Sequence, residues 1–112
     1  MDKYTALSLS KITTVAIQDL GQMIRNCRLE HGISQQDLAE RINISRYSIM
    51  AIEKGDPKIA VGVVFEAAYI VGIPLLGGEL KDLQNLSVNL AKLTNILPKK
   101  APKRTKDIED DF

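Results

Sequence analysis

A chain of 112 residues, 45% hydrophobic and 26% charged, is long enough for one small domain with a buried core and attached segments. Its formal net charge of +1 excludes a uniformly basic surface, and its single cysteine and single histidine exclude an intrachain disulfide and a metal-ligand set. No apolar run approaches the ~20 residues of a membrane span, and the N-terminus lacks the basic-then-apolar order of a signal peptide, so the sequence reads as cytoplasmic and free of cofactors.

Residues 1–17, MDKYTALSLSKITTVAI, mix alternating Leu7 and Leu9 with Ser and Thr. Periodicity leaves them open between a strand and a weak helix, as an N-terminal arm toward a second subunit or a strap on their own domain. From Gln18 to His31 the pattern is clearer: Leu20, Ile24, Cys27 and Leu29 fall near one face, Arg25 and Arg28 are interleaved, and Gly32 supplies a stop. Cys27 reads as a small buried residue of this first helix. His31 falls at its negative end, where partial positive charge is favoured and no nucleophile is spaced to use it.

The stretch from Ser34 to Gly55, SQQDLAERINISRYSIMAIEKG, reads as two short helices joined by a tight turn. Ser34 can cap the first helix, with Asp37 near the positive end, and Leu38, Ala39 and Ile42 recur at helical spacing. Asn43 is one of the few non-glycine residues that tolerate the left-handed conformation needed to leave it. Ser45 caps the second helix, whose Ile49 and Ile52 face back toward Leu38 and Ile42. Arg46 and Tyr47 are left on the outer N-terminal surface.

This run resembles the helix-turn-helix of the Cro/C1 repressor (XRE) family: an SQxxLA opening, small Ala39 where the helices cross, Ile49, and the closing IExG as Ile52, Glu53, Lys54 and Gly55. It departs at Asn43, where the family more often has Gly. The resemblance covers roughly residues 20–76 and implies an all-α, lambda-repressor-like five-helix domain that binds DNA. It also implies that Arg28 pairs with Glu53.

Beyond the motif, Gly55, Asp56 and Pro57 form a turn, and Ile59 to Val71 is apolar almost all round, which predicts a central buried helix ending at Gly72. Ile73, Pro74, Leu75 and Leu76 open a short fifth element, followed by a hinge at Gly77 and Gly78. From Glu79 to Leu97 an amphipathic helix carries Leu83, Leu86, Leu90, Leu93 and Leu97 in steps of three and four. Such a seam serves either as a subunit interface or as a face packed on its own domain, and few charges flank it to choose a partner.

Residues 99–112 hold five basic and four acidic groups against ten and ten in residues 1–98, and with Pro98 they read as a charged disordered tail. The organisation expected is therefore an N-terminal arm at 1–17, a DNA-binding domain at 18–76, a dimerisation helix at 79–97 and a tail at 98–112. Because the folded part is electrically neutral, DNA affinity must come from a local patch, and dimerising multiplies the phosphates neutralised.

The resemblance places phosphate contacts on Gln35, Arg25, Ser45, Ser48 and Lys58, and base contacts on the outward N-terminal face of the second helix, where Arg46 can donate to guanine, Tyr47 is open between a thymine methyl, a phosphate and a role covering the helix pair, and Ala51, one turn on, can make at most an apolar contact. A homodimer would then read a palindromic operator in double-stranded DNA. The region EKGDPKIAVGVVFEAAYIVGIPLL further resembles HipB-type antitoxins, which implies a repressor of its own operon that binds a HipA-like kinase toxin. A stand-alone or phage-type repressor is the competing reading within that class, and a protein-interaction module without DNA the reading outside it. An enzyme is not expected, because the chain has no glycine-rich phosphate loop, metal spacing or nucleophile with a base.

Overall fold

A computed structural model describes residues 7–98, so the first part of the expected arm and the tail from 99 onward lie outside the described residues. The chain divides into two compact units, Met1–Leu75 and Leu76–Phe112. Among the described residues the fold is all-α, with five helices and no strand: α1 (Lys11–Glu30), α2 (Gln35–Ile42), α3 (Arg46–Lys54), α4 (Val61–Ile70) and α5 (Leu80–Ile96).

The first three helices begin at serines. The hydroxyls of Ser10, Ser34 and Ser45 accept from the backbone N–H of Thr13, Asp37 and Ser48, each three residues on. Ser10 brings the start of α1 back to Lys11 rather than Gln18, through a β-branched run, Ile12 to Val15, that reads as strand by propensity. Thr14 fits this helix by donating its hydroxyl to the Ser10 carbonyl at 3.0 Å.

Helices α1 to α4 end by one device. A residue in the left-handed region, Gly32, Asn43, Gly55 or Gly72, lets the next N–H turn back five residues. Ile33 thus donates to Arg28, Ile44 to Ala39, Asp56 to Ala51 and Ile73 to Ala68, at 2.8–3.0 Å. Ile33 and Ile73 then enter the buried core and Ile44 packs against it, so three of these stops also place an apolar side chain.

That core joins Ile24, Leu38, Ala39, Ile49, Ile52, Ala67, Ala68 and Val71. α1 crosses α3 at Gly21, where an added Cβ would collide with the Ile52 carbonyl oxygen. The buried side of α1 runs through Gly21, Ile24 and Arg28, with Leu20 and Cys27 half-buried; Leu29, expected on this side, is exposed. α4 differs from the expected central helix. It packs against α2 and buries Ala67 and Ala68, while Val61, Phe65 and Tyr69 remain 70%, 43% and 72% exposed.

The short fifth element expected at 73–76 is non-helical. Pro74 disfavours helical backbone at Ile73, the Leu75 N–H turns back to the Ile73 carbonyl at 3.0 Å, and Leu76 adopts φ 57°. In the second unit α5 has no side-chain cap and buries no residue, and the five leucines of its seam are all exposed.

Candidate nucleic-acid interface

The site is assembled on a buried ion pair. Arg28 of α1 and Glu53 of α3 are only 5% and 7% exposed, and the guanidinium donates to both carboxylate oxygens, Nε to Oε2 at 2.6 Å and Nη2 to Oε1 at 3.1 Å. Its remaining Nη1 donates to the Ile33 carbonyl at 2.8 Å, fixing the end of α1. Two buried charges are tolerated because their hydrogen-bonding capacity is used within the pair and its neighbours. No buried side-chain nitrogen or oxygen among the described residues lacks a partner.

The pair reaches the surface through Gln35, the first residue of α2. Its Nε2 donates to Glu53 Oε1 at 3.1 Å, and its Oε1 accepts from Arg46 Nε at 3.3 Å. Arg46 is the first residue of α3, so the relay Arg28–Glu53–Gln35–Arg46 ties three helices together and ends in an exposed guanidinium. Only Nε of Arg46 is engaged by Gln35, which leaves the planar Nη face available for a bidentate acceptor.

Around this relay two adjoining grooves open. One is lined by Arg25, Arg28, Ser34, Gln35, Gln36 and Arg46. The other is lined by Gln18, Gln22, Arg25, Gln35, Met50, Glu53 and Lys54. Arg25 and Gln35 belong to both. Since Glu53 is neutralised by Arg28, the exposed charges of this surface are cationic: Arg25, Arg46 and Lys54. A chain of almost no net charge therefore carries a local positive patch beside the N-terminus of α2.

Of the residues expected at the interface, Arg25, Gln35 and Arg46 are brought together on these grooves. Tyr47 stands 81% exposed on the outer side of α3, with Ala51 half-buried one turn on. Ser45 and Ser48 are engaged with each other, their hydroxyls 3.1 Å apart and the Ser48 N–H donating to Ser45 Oγ at 3.2 Å. Lys58 lies outside the grooves, 3.6 Å from Asp56.

Gln18, Gln22, Gln36, Met50 and Lys54 also line the surface and were not read from the sequence. Met50 and Lys54 follow Arg46 at intervals of four, a signal that helical spacing alone contained. His31 is exposed at the end of α1, its Nδ1 2.8 Å from the Cys27 carbonyl, and takes no part in the grooves.

The helix-turn-helix family model matches residues 24–76, which include α2, α3 and α4. A protein of Methanocaldococcus jannaschii named as an uncharacterised HTH-type transcriptional regulator is 35% identical over 48 residues, 43% of this chain and 73% of the relative. The chain belongs to the helix-turn-helix family of transcriptional regulators. A second HTH-type regulator, from Methanothermobacter thermautotrophicus, is 48% identical over 33 residues, and the chain spans about half of its length, 48%. No solved structure matches the chain. Within the matched residues α2 and α3 are the paired helices of the helix-turn-helix. The family match leaves out the first turns of α1 and all of α5. No helix among the described residues is long and apolar enough to cross a membrane.

Proposed function

We propose that this helix-turn-helix regulator is a sequence-specific repressor that binds a palindromic operator as a homodimer. The observation that carries the reading is the Gln35 bridge, which holds an exposed Arg46 at the start of α3 within a cationic groove. In this role Arg46 donates two bonds to guanine O6 and N7 in the major groove, and Tyr47, Ala51 and Met50 make apolar contacts beside it. Arg25, Lys58, Ser45, Ser48 and the backbone amide of Gln35 at the α2 N-terminus take the phosphates.

The seam of Leu83, Leu86, Leu90, Leu93 and Leu97 joins two copies, and two-fold symmetry sets their recognition helices about 34 Å apart, one turn of DNA. The antitoxin role suggested by the HipB likeness rests on sequence between Glu53 and Leu76 alone. Both relatives are named as transcriptional regulators, which supports operator binding as the core role with or without a toxin partner. Co-purification of a kinase with the native chain would add the antitoxin role.

Selection from randomised duplex DNA, followed by titration of the selected site, tests the proposal. Arg46→Ala is expected to lose about 1–3 kcal/mol of discrimination per half-site against a changed guanine, with an unchanged circular dichroism spectrum. A wild-type chain that selects no sequence would sink the reading and leave a protein-interaction module.

A further inference from the structure

Arg46 is constrained as well as exposed. Gln35 Oε1 accepts from its Nε at 3.3 Å, and Gln35 is itself held by Glu53 Oε1 at 3.1 Å. With Nε engaged from behind, the fork that remains is the end of the plane formed by Nη1 and Nη2. A guanidinium that meets guanine O6 and N7 by this fork lies in the plane of the base pair. Its two flat sides then face the neighbouring pairs, and such a weakly hydrated cationic surface packs well against apolar groups.

The neighbours of Arg46 on α3 are of that kind. Tyr47 stands 81% exposed beside it, and half-buried Met50 lies one turn on, in a groove that shares Arg25 and Gln35 with the groove of Arg46. A thioether has no donor for a phosphate or for thymine O4, and a tyrosine hydroxyl can serve as donor or acceptor. Hydrogen bonding from these two side chains therefore does not tell thymine from cytosine. What does is the C5-methyl, the apolar group that thymine presents in the major groove. 5-Methylcytosine carries the same group on the same atom.

We propose that the step read at each half-site is a 5-methylpyrimidine followed by guanine. Resting on the operator reading above, Arg46 takes the guanine, while one side of its guanidinium, Tyr47 and Met50 enclose the methyl of the base immediately 5′ to it. The pyrimidine is read by its methyl and not by its pairing edge. Thymine and 5-methylcytosine are equivalent there, whereas uracil and unmethylated cytosine are rejected alike. Where the step is CG, the regulator thus responds to methylation of the DNA itself.

Competition binding of the full chain tests this, using duplexes built on the site it selects from random DNA. Replacing the thymine 5′ to the read guanine by uracil removes one methyl and is expected to weaken binding about fourfold per half-site. Over two half-sites the loss is about fifteenfold, since separated positions add. A CG step is expected to bind as weakly as the uracil duplex, and methylating that cytosine on the strand of the read guanine should restore affinity. Methylation of the opposite strand alone should not.

Tyr47→Ala with Met50→Ala is expected to bring the thymine-to-uracil ratio within twofold and to keep the preference for guanine. Tyr47→Ala alone, at an exposed position, should lower the ratio per half-site to about twofold without moving the melting temperature. Selected half-sites with a purine 5′ to the guanine, equal binding of the thymine and uracil duplexes, or a ratio unchanged in both variants would overturn the proposal and leave the operator reading standing. A chain that selects no sequence would overturn both.

Discussion

α3 and α5 both carry apolar residues at helical spacing among polar ones, yet α3 buries Ile49 and Ile52 and α5 buries nothing. α3 is capped by Ser45, stopped at Gly55, held across α1 by Gly21 and pinned by the Arg28–Glu53 pair. α5 has neither a side-chain cap nor a packed face. At 17 residues it is near the length at which a helix alone in water is marginal. The difference teaches that amphipathic spacing states which side of a helix seeks cover and is silent on who supplies it. For α3 the cover is intrachain; for α5 we propose that it is a second subunit.

The sharpest way to break the contrast is at the ion pair. Glu53→Ala leaves the Arg28 guanidinium buried without its carboxylate and unties Gln35, and is expected to lower unfolding free energy by about 3–5 kcal/mol in a denaturant titration. An unchanged midpoint would mean that α3 is held by its apolar side alone.

Ser34→Ala removes one cap without touching the core, and the expected loss is about 1 kcal/mol by the same titration. The smallest effect on stability is expected where the cover comes from outside. Leu86→Ser with Leu90→Ser should move the unfolding midpoint of the first unit by no more than about 0.5 kcal/mol. The same double variant should nonetheless shift the sedimenting species from dimer to monomer. If it remained a dimer, the seam would not be the subunit interface.

Local signals made much of this fold legible in the sequence. Ser34, Asn43, Ser45 and Gly72 each act within a few residues of themselves, so their chemistry can be read without knowing the fold. The start of α1 was obscured because Ile12 to Val15 favours strand by propensity, and a single cap at Ser10 outweighs that preference. By apolarity alone the buried side of α1 runs through Leu29, which is exposed. Arg28 takes that side instead, since a residue 25 positions away neutralises it. Likewise α4 is apolar all round by sequence, but only the side facing α2 is covered.

The direction of the Gln35 side chain depends on the N-termini of α2 and α3 meeting in space. Nothing in the spacing of eleven residues between Gln35 and Arg46 announces that. Met50 and Lys54, by contrast, were within reach of the helical repeat that begins at Arg46.

The shared way in which α1 to α4 end bears on time as well as shape. Each stop is closed by a hydrogen bond spanning five residues, so where a helix ends depends on residues close in sequence. Chains dominated by such local contacts fold in about microseconds to milliseconds. A regulator made this way is expected to form its helix-turn-helix pair quickly, so folding is not expected to set the time between its synthesis and its first effect on transcription.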